Sequence, residues 1–177
     1  MQRNRPNPSL IRTLLAACIA VCLCAAAGTA ATLRSGDSAP DFQAPTLKEG
    51  RAISLKGFRG KVVFLDFWAS WCAPCATSLP VLDGLRSEFG AEGFQVLAVN
   101  VDRDPRKAQD FLAKRPVGYP SVSDPEGKLP IRFGIETMPT SFLIDRQGVI
   151  RYVHRGFRKG DEDTLRAHIR ELMAGGR

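Results

Sequence analysis

The chain has 177 residues, 44% hydrophobic and 24% charged, with ordinary contents of Gly (16) and Pro (12). That length fits one globular domain plus a short extra segment, and the composition excludes a disordered, collagen-like or polytopic membrane protein. The formal net charge is +7, but Arg3, Arg5 and Arg12 supply three of those charges, leaving +4 beyond residue 30 with no aromatic-interleaved basic stripe, so no nucleic-acid partner is expected.

The three arginines precede an uncharged run over residues 13–33, and the next charge is Arg34. A basic start, an apolar run and small residues around Ala27 to Ala31 are the marks of a secretory signal, cleaved near Ala30 or Ala31. The same run is also long enough to remain as a membrane tether, and Leu15-Ala-Ala-Cys18 resembles a lipoprotein box, although its apolar core is short. Each reading puts the folded part outside the cytoplasm, periplasmic or otherwise extracytoplasmic. The expected division is therefore 1–31 as signal or anchor and 32–177 as the folded domain. Of five cysteines, Cys18, Cys22 and Cys24 fall inside the apolar segment, so the exported domain keeps only Cys72 and Cys75.

Residues 33–50, rich in Gly, Pro and Ser, suit a loop or short strand, and Ile53-Ser-Leu alternates briefly. Lys61-Val-Val-Phe-Leu-Asp-Phe-Trp-Ala69 is nearly all apolar, as in a central strand covered on both faces. Leu79, Leu82, Leu85 and Phe89 then recur at helical spacing with Pro80 inside the pattern, which predicts a kinked helix. Residues 93–101 read as a second buried strand. Asp104-Pro105 is an N-cap followed by a first-turn proline, with Ala108, Phe111 and Leu112 as the apolar face. Arg115-Pro116 ends that helix. Residues 119–122 fit a short strand and Asp124-Pro-Glu-Gly127 a turn. Residues 140–145 and 149–153 read as a hairpin, and 161–173 as a closing helix with Leu165, Ile169 and Leu172 inward. Alternating strands and helices that end in a hairpin and a helix predict an α/β fold with a mixed central sheet flanked by helices.

Cys72-Ala-Pro-Cys75 falls where a buried strand gives way to a helix. A cysteine there faces unpaired backbone N–H groups and the positive end of the helix dipole, both of which favour the nucleophilic thiolate. The second cysteine lies within the first turn, close enough to close a disulfide. The pair thus suits thiol–disulfide exchange, Cys72 attacking and Cys75 resolving. Two other readings stand beside it: half of a zinc site, for which only the distant His154 and His168 could add imidazoles, and a plain structural disulfide. His154 and His168 themselves read as solvated or capping residues, and Arg151, Arg155, Arg158 and Lys159 as a solvated face.

Asp66-Phe-Trp-Ala-Ser-Trp-Cys-Ala-Pro-Cys75 resembles the active-site segment of the thioredoxin superfamily. With Ala39-Pro-Asp-Phe42, Gly60-Lys-Val-Val63 and Gly134-Ile-Glu-Thr-Met-Pro-Thr-Ser-Phe-Leu-Ile-Asp145, the pattern resembles its exported TlpA/ResA-like branch over roughly residues 36–156. The resemblance implies a thioredoxin-like fold, with residues 100–132 as the branch's strand–helix insertion. It implies that Pro139 is the family's cis-proline, bordering the disulfide together with Met138, Trp71, Ala73 and Pro74 where a substrate strand binds. It also implies that Asp66 is a buried proton relay to Cys75; the alternative is a strand-edge carboxylate facing water. Trp68 fits mainly a core role and Pro80 a helix-kinking one.

The chain departs from relatives at several positions. Ser78 stands where some members have a glutamate, Thr140 where the haem-maturation subgroup has one, and Ala69 where a peroxiredoxin needs Thr or Ser. No histidine lies between the cysteines, which leans toward a reductase. The expected protein is a monomeric thiol–disulfide oxidoreductase needing no cofactor or metal. It reduces disulfides in exported proteins, with a role in cytochrome c maturation within its range, and is recharged by a membrane thiol donor. The alternative from another class is a copper-delivery module holding metal on the same two sulfurs; a peroxidase is a third reading.

Overall fold

The computed structural model describes residues 32–175, so the expected signal or anchor of residues 1–31 lies outside them. The first strands form a small antiparallel hairpin, β1 (Gln43–Pro45) within the segment expected as loop or short strand and β2 (Ala52–Ser54) over the brief Ile53-Ser-Leu alternation. It then enters β3 (Val62–Trp68), in which every residue is buried. Helix α1 (Ala73–Phe89) leads to β4 (Phe94–Asn100), parallel to β3. Helix α2 (Pro105–Lys114) and β5 (Ser121–Ser123) follow, then a short α3 (Lys128–Phe133), the hairpin β6 (Thr140–Ile144) and β7 (Ile150–Arg155), and α4 (Asp161–Ala174). The five-stranded sheet has the order β5-β4-β3-β6-β7, with β3, β4 and β5 parallel and β6 and β7 antiparallel.

Strand alternation divides the core in two. Val62, Phe64 and Trp68 point toward α1, α2 and α4, where Leu79, Leu82, Leu85, Ala108, Leu165 and Ile169 cover them. Val63, Leu65 and Phe67 point the other way, toward α3 and the lead-in segment, where Phe42, Leu55, Leu129 and Phe133 close the second layer. Asp66 shares the first face with Phe64 and Trp68 by position along β3. Local chemistry fixes the ends of the elements. The Asp104 carboxylate accepts the N–H of Arg106 at the start of α2. In the β6–β7 turn, Asp145 accepts the N–H groups of Gln147 and Val149, while Gly148 supplies a φ of +81°.

The chain has the expected fold class, with one difference in order and one added element. The insertion after β4 runs helix first and strand second, because Asp104-Pro105 caps a helix immediately and β5 is reached only after it. Helix α3 was not anticipated, since six residues with Pro130 among them show no period. It is held from outside: Asp124 accepts the N–H groups of Lys128 (3.2 Å) and Leu129 (2.7 Å), and Gly127 takes a positive φ just before it. Its last residue, Phe133, is fully buried against Phe42, Phe67 and Phe142. Truncating such a ring leaves a cavity on top of the lost transfer energy, so Phe133→Ala should cost about 3–5 kcal/mol in urea unfolding.

Candidate active site

Because β3 ends inside the molecule, the chain must turn outward before α1 begins. Residues 69–72 make that turn, and a buried carboxylate fixes it. Asp102, just past β4 and 2% exposed, accepts both the N–H (2.9 Å) and the hydroxyl (2.9 Å) of Ser70. Asn100 donates to the same carboxylate (2.8 Å) and accepts the Asp102 N–H through its own carbonyl (3.1 Å). Sequence reasoning missed this clamp; its only local signal is an Asn-Val-Asp at the end of a buried strand.

Cys72 is the N-cap of α1, with Pro74 in the first turn, and its Sγ accepts the Cys75 N–H at 3.3 Å. The two cysteines form a disulfide, with Cα atoms 5.3 Å apart. Their surroundings differ. Cys72 lines a groove of about 590 Å³ together with Trp71, Ala73, Pro74 and Met138, whereas Cys75 is fully buried and does not reach it. A partner in the groove therefore meets the Cys72 sulfur first. Trp71 is 68% exposed, so the groove has a large aromatic rim. Trp68 is fully buried, donating its indole N–H to Ser121 Oγ (3.0 Å) and packing on Phe111. The opposite wall comes from Pro130 and the loop Ile135, Glu136, Thr137 and Met138, most of which the sequence did not single out.

The Met138–Pro139 peptide bond is cis. Pro139 is buried, and its carbonyl accepts the Gly156 N–H (2.7 Å), tying the loop to the end of β7. The Thr140 hydroxyl donates to the Thr137 carbonyl (2.7 Å) and rigidifies the same corner. Of the residues singled out from sequence, Trp71, Cys72, Ala73, Pro74 and Met138 thus share one groove, while Cys75, Asp66 and Pro139 lie beneath the surface. Among the described residues, no group of three or more His, Cys, Asp and Glu side chains could hold a metal ion.

Asp66 has no exposed surface, which removes the water-facing alternative. Ser141, its cross-strand partner on β6, donates a 2.6 Å hydrogen bond to Oδ1, and Oδ2 is buried with no partner among the described residues. Burial disfavours the charged form and pushes its pKa from 3.8 up to about 7, against the opposing pull of the Ser141 hydrogen bond. Such a carboxyl changes charge around neutral pH, the property a proton carrier needs.

The folded chain thus holds this proton more tightly than the unfolded chain does. Between about pH 4 and pH 7 the folded state keeps it while the unfolded state has lost it, so Asp66 makes stability fall as pH rises. Asp66→Asn should leave stability near pH 4 little changed and raise it at pH 8. The ceiling is on the order of 4 kcal/mol, three units at about 1.4 kcal/mol each. Denaturant midpoints measured across pH check this.

Comparison with known proteins agrees with the geometry. The Redoxin family profile matches residues 34–169. Thiol-disulfide oxidoreductase ResA of Geobacillus thermodenitrificans is 34% identical over 137 residues, 77% of each chain. ResA of Bacillus thuringiensis subsp. konkukian is 35% identical over 115 residues, 65% of this chain and 66% of that protein, so this match spans about two thirds of the relative. A Chlorobium tepidum protein assigned as thiol:disulfide interchange protein DsbE superposes with a TM-score of 0.78 and 44% identity, covering 80% of this chain and 99% of the other. A CxxC disulfide at a helix start, a cis-proline loop across from it and these likenesses converge: the chain belongs to the Redoxin family, as a TlpA/ResA-like thiol-disulfide oxidoreductase of the thioredoxin superfamily.

Proposed function

We propose that this oxidoreductase works outside the cytoplasm as a reductase of exported, disulfide-bearing proteins, with Cys72 as nucleophile and Cys75 as resolving thiol. The reading is carried by the unequal exposure of the two sulfurs. Cys72 borders the open groove, whereas Cys75 is fully buried and does not reach it; Asp66 is buried as well. In the reduced protein the Cys72 thiolate attacks a substrate disulfide, expelling one substrate sulfur as thiolate. The mixed disulfide is then attacked by Cys75, which gives up its proton to Asp66 as the Cys72–Cys75 bond forms and the second substrate sulfur leaves. Two electrons pass to the substrate, and a membrane thiol donor restores the dithiol.

The Cys75 N–H aimed at Cys72 Sγ and the helix start behind it favour the thiolate needed for the first step. Trp71, Ala73, Pro74 and Met138 would seat the substrate chain, and Pro139 would hold the loop so that the backbone before it pairs with that chain. Ala73-Pro74 supplies no imidazole to make the disulfide strongly oxidising, which favours the reducing direction. Export rests on the basic and apolar pattern of residues 1–31; among the described residues no helix is long and apolar enough to cross a membrane. The domain acts as a monomer without a cofactor.

The direction is tested by equilibrating the full-length protein in thiol/disulfide buffers and counting alkylated thiols. A potential near or below about −250 mV supports the reductase, and one near about −120 mV would identify an oxidase instead. Cys75→Ser should trap substrate proteins in disulfides to Cys72, and Cys72→Ser should trap none. Stoichiometric Cu(I) binding by the reduced protein that is lost in Cys72→Ser, together with no substrate trapped by Cys75→Ser, would favour the metal-carrier reading.

A further inference from the structure

Behind the active site the sheet carries a polar row that the exchange reaction does not explain. Asp66 on β3 pairs across the sheet with Ser141 on β6, and Ser141 pairs in turn with His154 on β7. Cross-strand partners share a face, so these three side chains lie side by side beneath α1 and α4. His154 was expected to be solvated or to cap; instead it is half-buried under α4, and its Nε2 is buried with no hydrogen-bond partner among the described residues. Asp66 Oδ2, at the other end of the row, is orphaned in the same way. Beside the row lies a cavity of about 10 Å³, the room a single water needs. Its polar lining is Ser78, Ser141, His154 and Asp161, with Phe64 and Leu165 among its apolar walls. A small polar cavity bordered by an orphaned imidazole nitrogen fits a bridging water, which needs two to four polar partners.

We propose that His154 is a positioning residue that carries protons between Asp66 and solvent through the Ser141 hydroxyl and one water held in this cavity. The inference rests on the reading of Asp66 as the acceptor of the Cys75 proton. When Cys75 closes the disulfide, its proton goes to the Asp66 carboxylate and its electron pair to the new bond. Asp66 is sealed from water and must shed that proton before the next turnover. It passes to the Ser141 hydroxyl, which both hydrogen-bonds Asp66 and lines the cavity; the hydroxyl gives its own proton to the cavity water, the water gives one to His154 Nε2, and the imidazolium releases the proton on Nδ1 to solvent. One proton leaves Cys75 and one reaches bulk water. During recharging the route runs backward.

The groups around His154 are those such a carrier requires. Asp161 of α4, at the cavity rim, favours the imidazolium; His168 of α4, with its ring 5.4 Å away, disfavours it. Tyr152 of β7 stacks on His168, β3 contributes Phe64, β6 contributes Ser141 with Asp66 beyond it along the row, and α1 presents Ser78 and Leu82. Burial and His168 hold His154 down at about 4, so it rests neutral and takes a proton only in passing. Ser78 stands where some relatives have a glutamate, and the polar row supplies a route that does not pass through that position.

The test follows the reduced full-length protein reacting with an aryl disulfide that releases a coloured thiolate. The first phase reports attack by Cys72, the second resolution by Cys75. Below about pH 7 Asp66 starts protonated and must discharge before it can accept. His154→Gln should therefore slow the second phase about tenfold or more near pH 6 and leave it unchanged near pH 9. A profile superimposable on that of the unaltered protein overturns the proposal, as does an equal slowing at every pH, which would mark a structural role. If Asp66→Asn abolishes the pH dependence while His154→Gln leaves it intact, the route fails and the reading of Asp66 stands. If neither changes the profile, both fail. Should His154→Gln not fold, the ring-nitrogen resonance of His154 in the unaltered protein must step at the Asp66 midpoint near pH 7; a flat response overturns the route.

Discussion

The pairing of β3 on both edges, with burial on both faces, is the constraint from which the rest follows. Hydrogen-bonded to β4 on one side and β6 on the other, β3 has neither a free edge nor a solvated face. Its seven residues can satisfy water nowhere, so six of them are apolar. The seventh, Asp66, keeps a carboxyl in the core on the strength of one serine hydroxyl. The same burial forces the chain to emerge at the end of β3 and start a helix there, which sets Cys72 on the first turn of α1. A sulfur bordering the groove and a buried carboxyl are both consequences of where one strand is placed.

The site built on that strand separates its tasks by depth. The groove has the rim of Trp71 and the wall of residues 135–138 around Cys72. One layer down, Cys75 is excluded from water, so in this reading it reacts only with a sulfur already bound to Cys72. Asp66, also without exposed surface, has its pKa pushed up to about 7 by burial. Rigidity at each depth comes from backbone-directed hydrogen bonds: Asp102 on the turn before Cys72, Thr140 on the loop facing it, and the Gly156 amide on the Pro139 carbonyl.

Much of this was legible in the order of residues. The near-continuous apolar run of β3, the Cys-Ala-Pro-Cys beside it and the Asp104-Pro105 cap are local signals, because each reports a requirement met within a few residues. Helix α3 was not legible, since its N-terminal donors are satisfied by Asp124 from outside and its one buried anchor, Phe133, packs on rings from three distant segments. The helix-first order of the insertion differs from the strand–helix order that the resemblance implied, but it is the order read from the residues, with the Asp104-Pro105 cap ahead of the strand at 119–122. His154 read as a surface residue because its own strand alternates weakly; the weight of α4 above it decided otherwise.

The cis-proline was implied by the resemblance to the thioredoxin superfamily; the sequence by itself determined where the chemistry sits on the chain, with two cysteines three residues apart at a strand-to-helix junction and strands whose buried runs could form only a covered sheet. Those are properties of composition and short-range geometry. The tertiary structure alone decided which polar groups face each other without water. A continuous apolar run has no period to say whether Asp66 points to core or solvent, and only strand register brings it beside Ser141 and His154, 75 and 88 positions further along the chain. Register is set by pairing over long separations and by packing on both faces, so the sheet, and not any local pattern, made a buried carboxyl out of one acidic residue in β3.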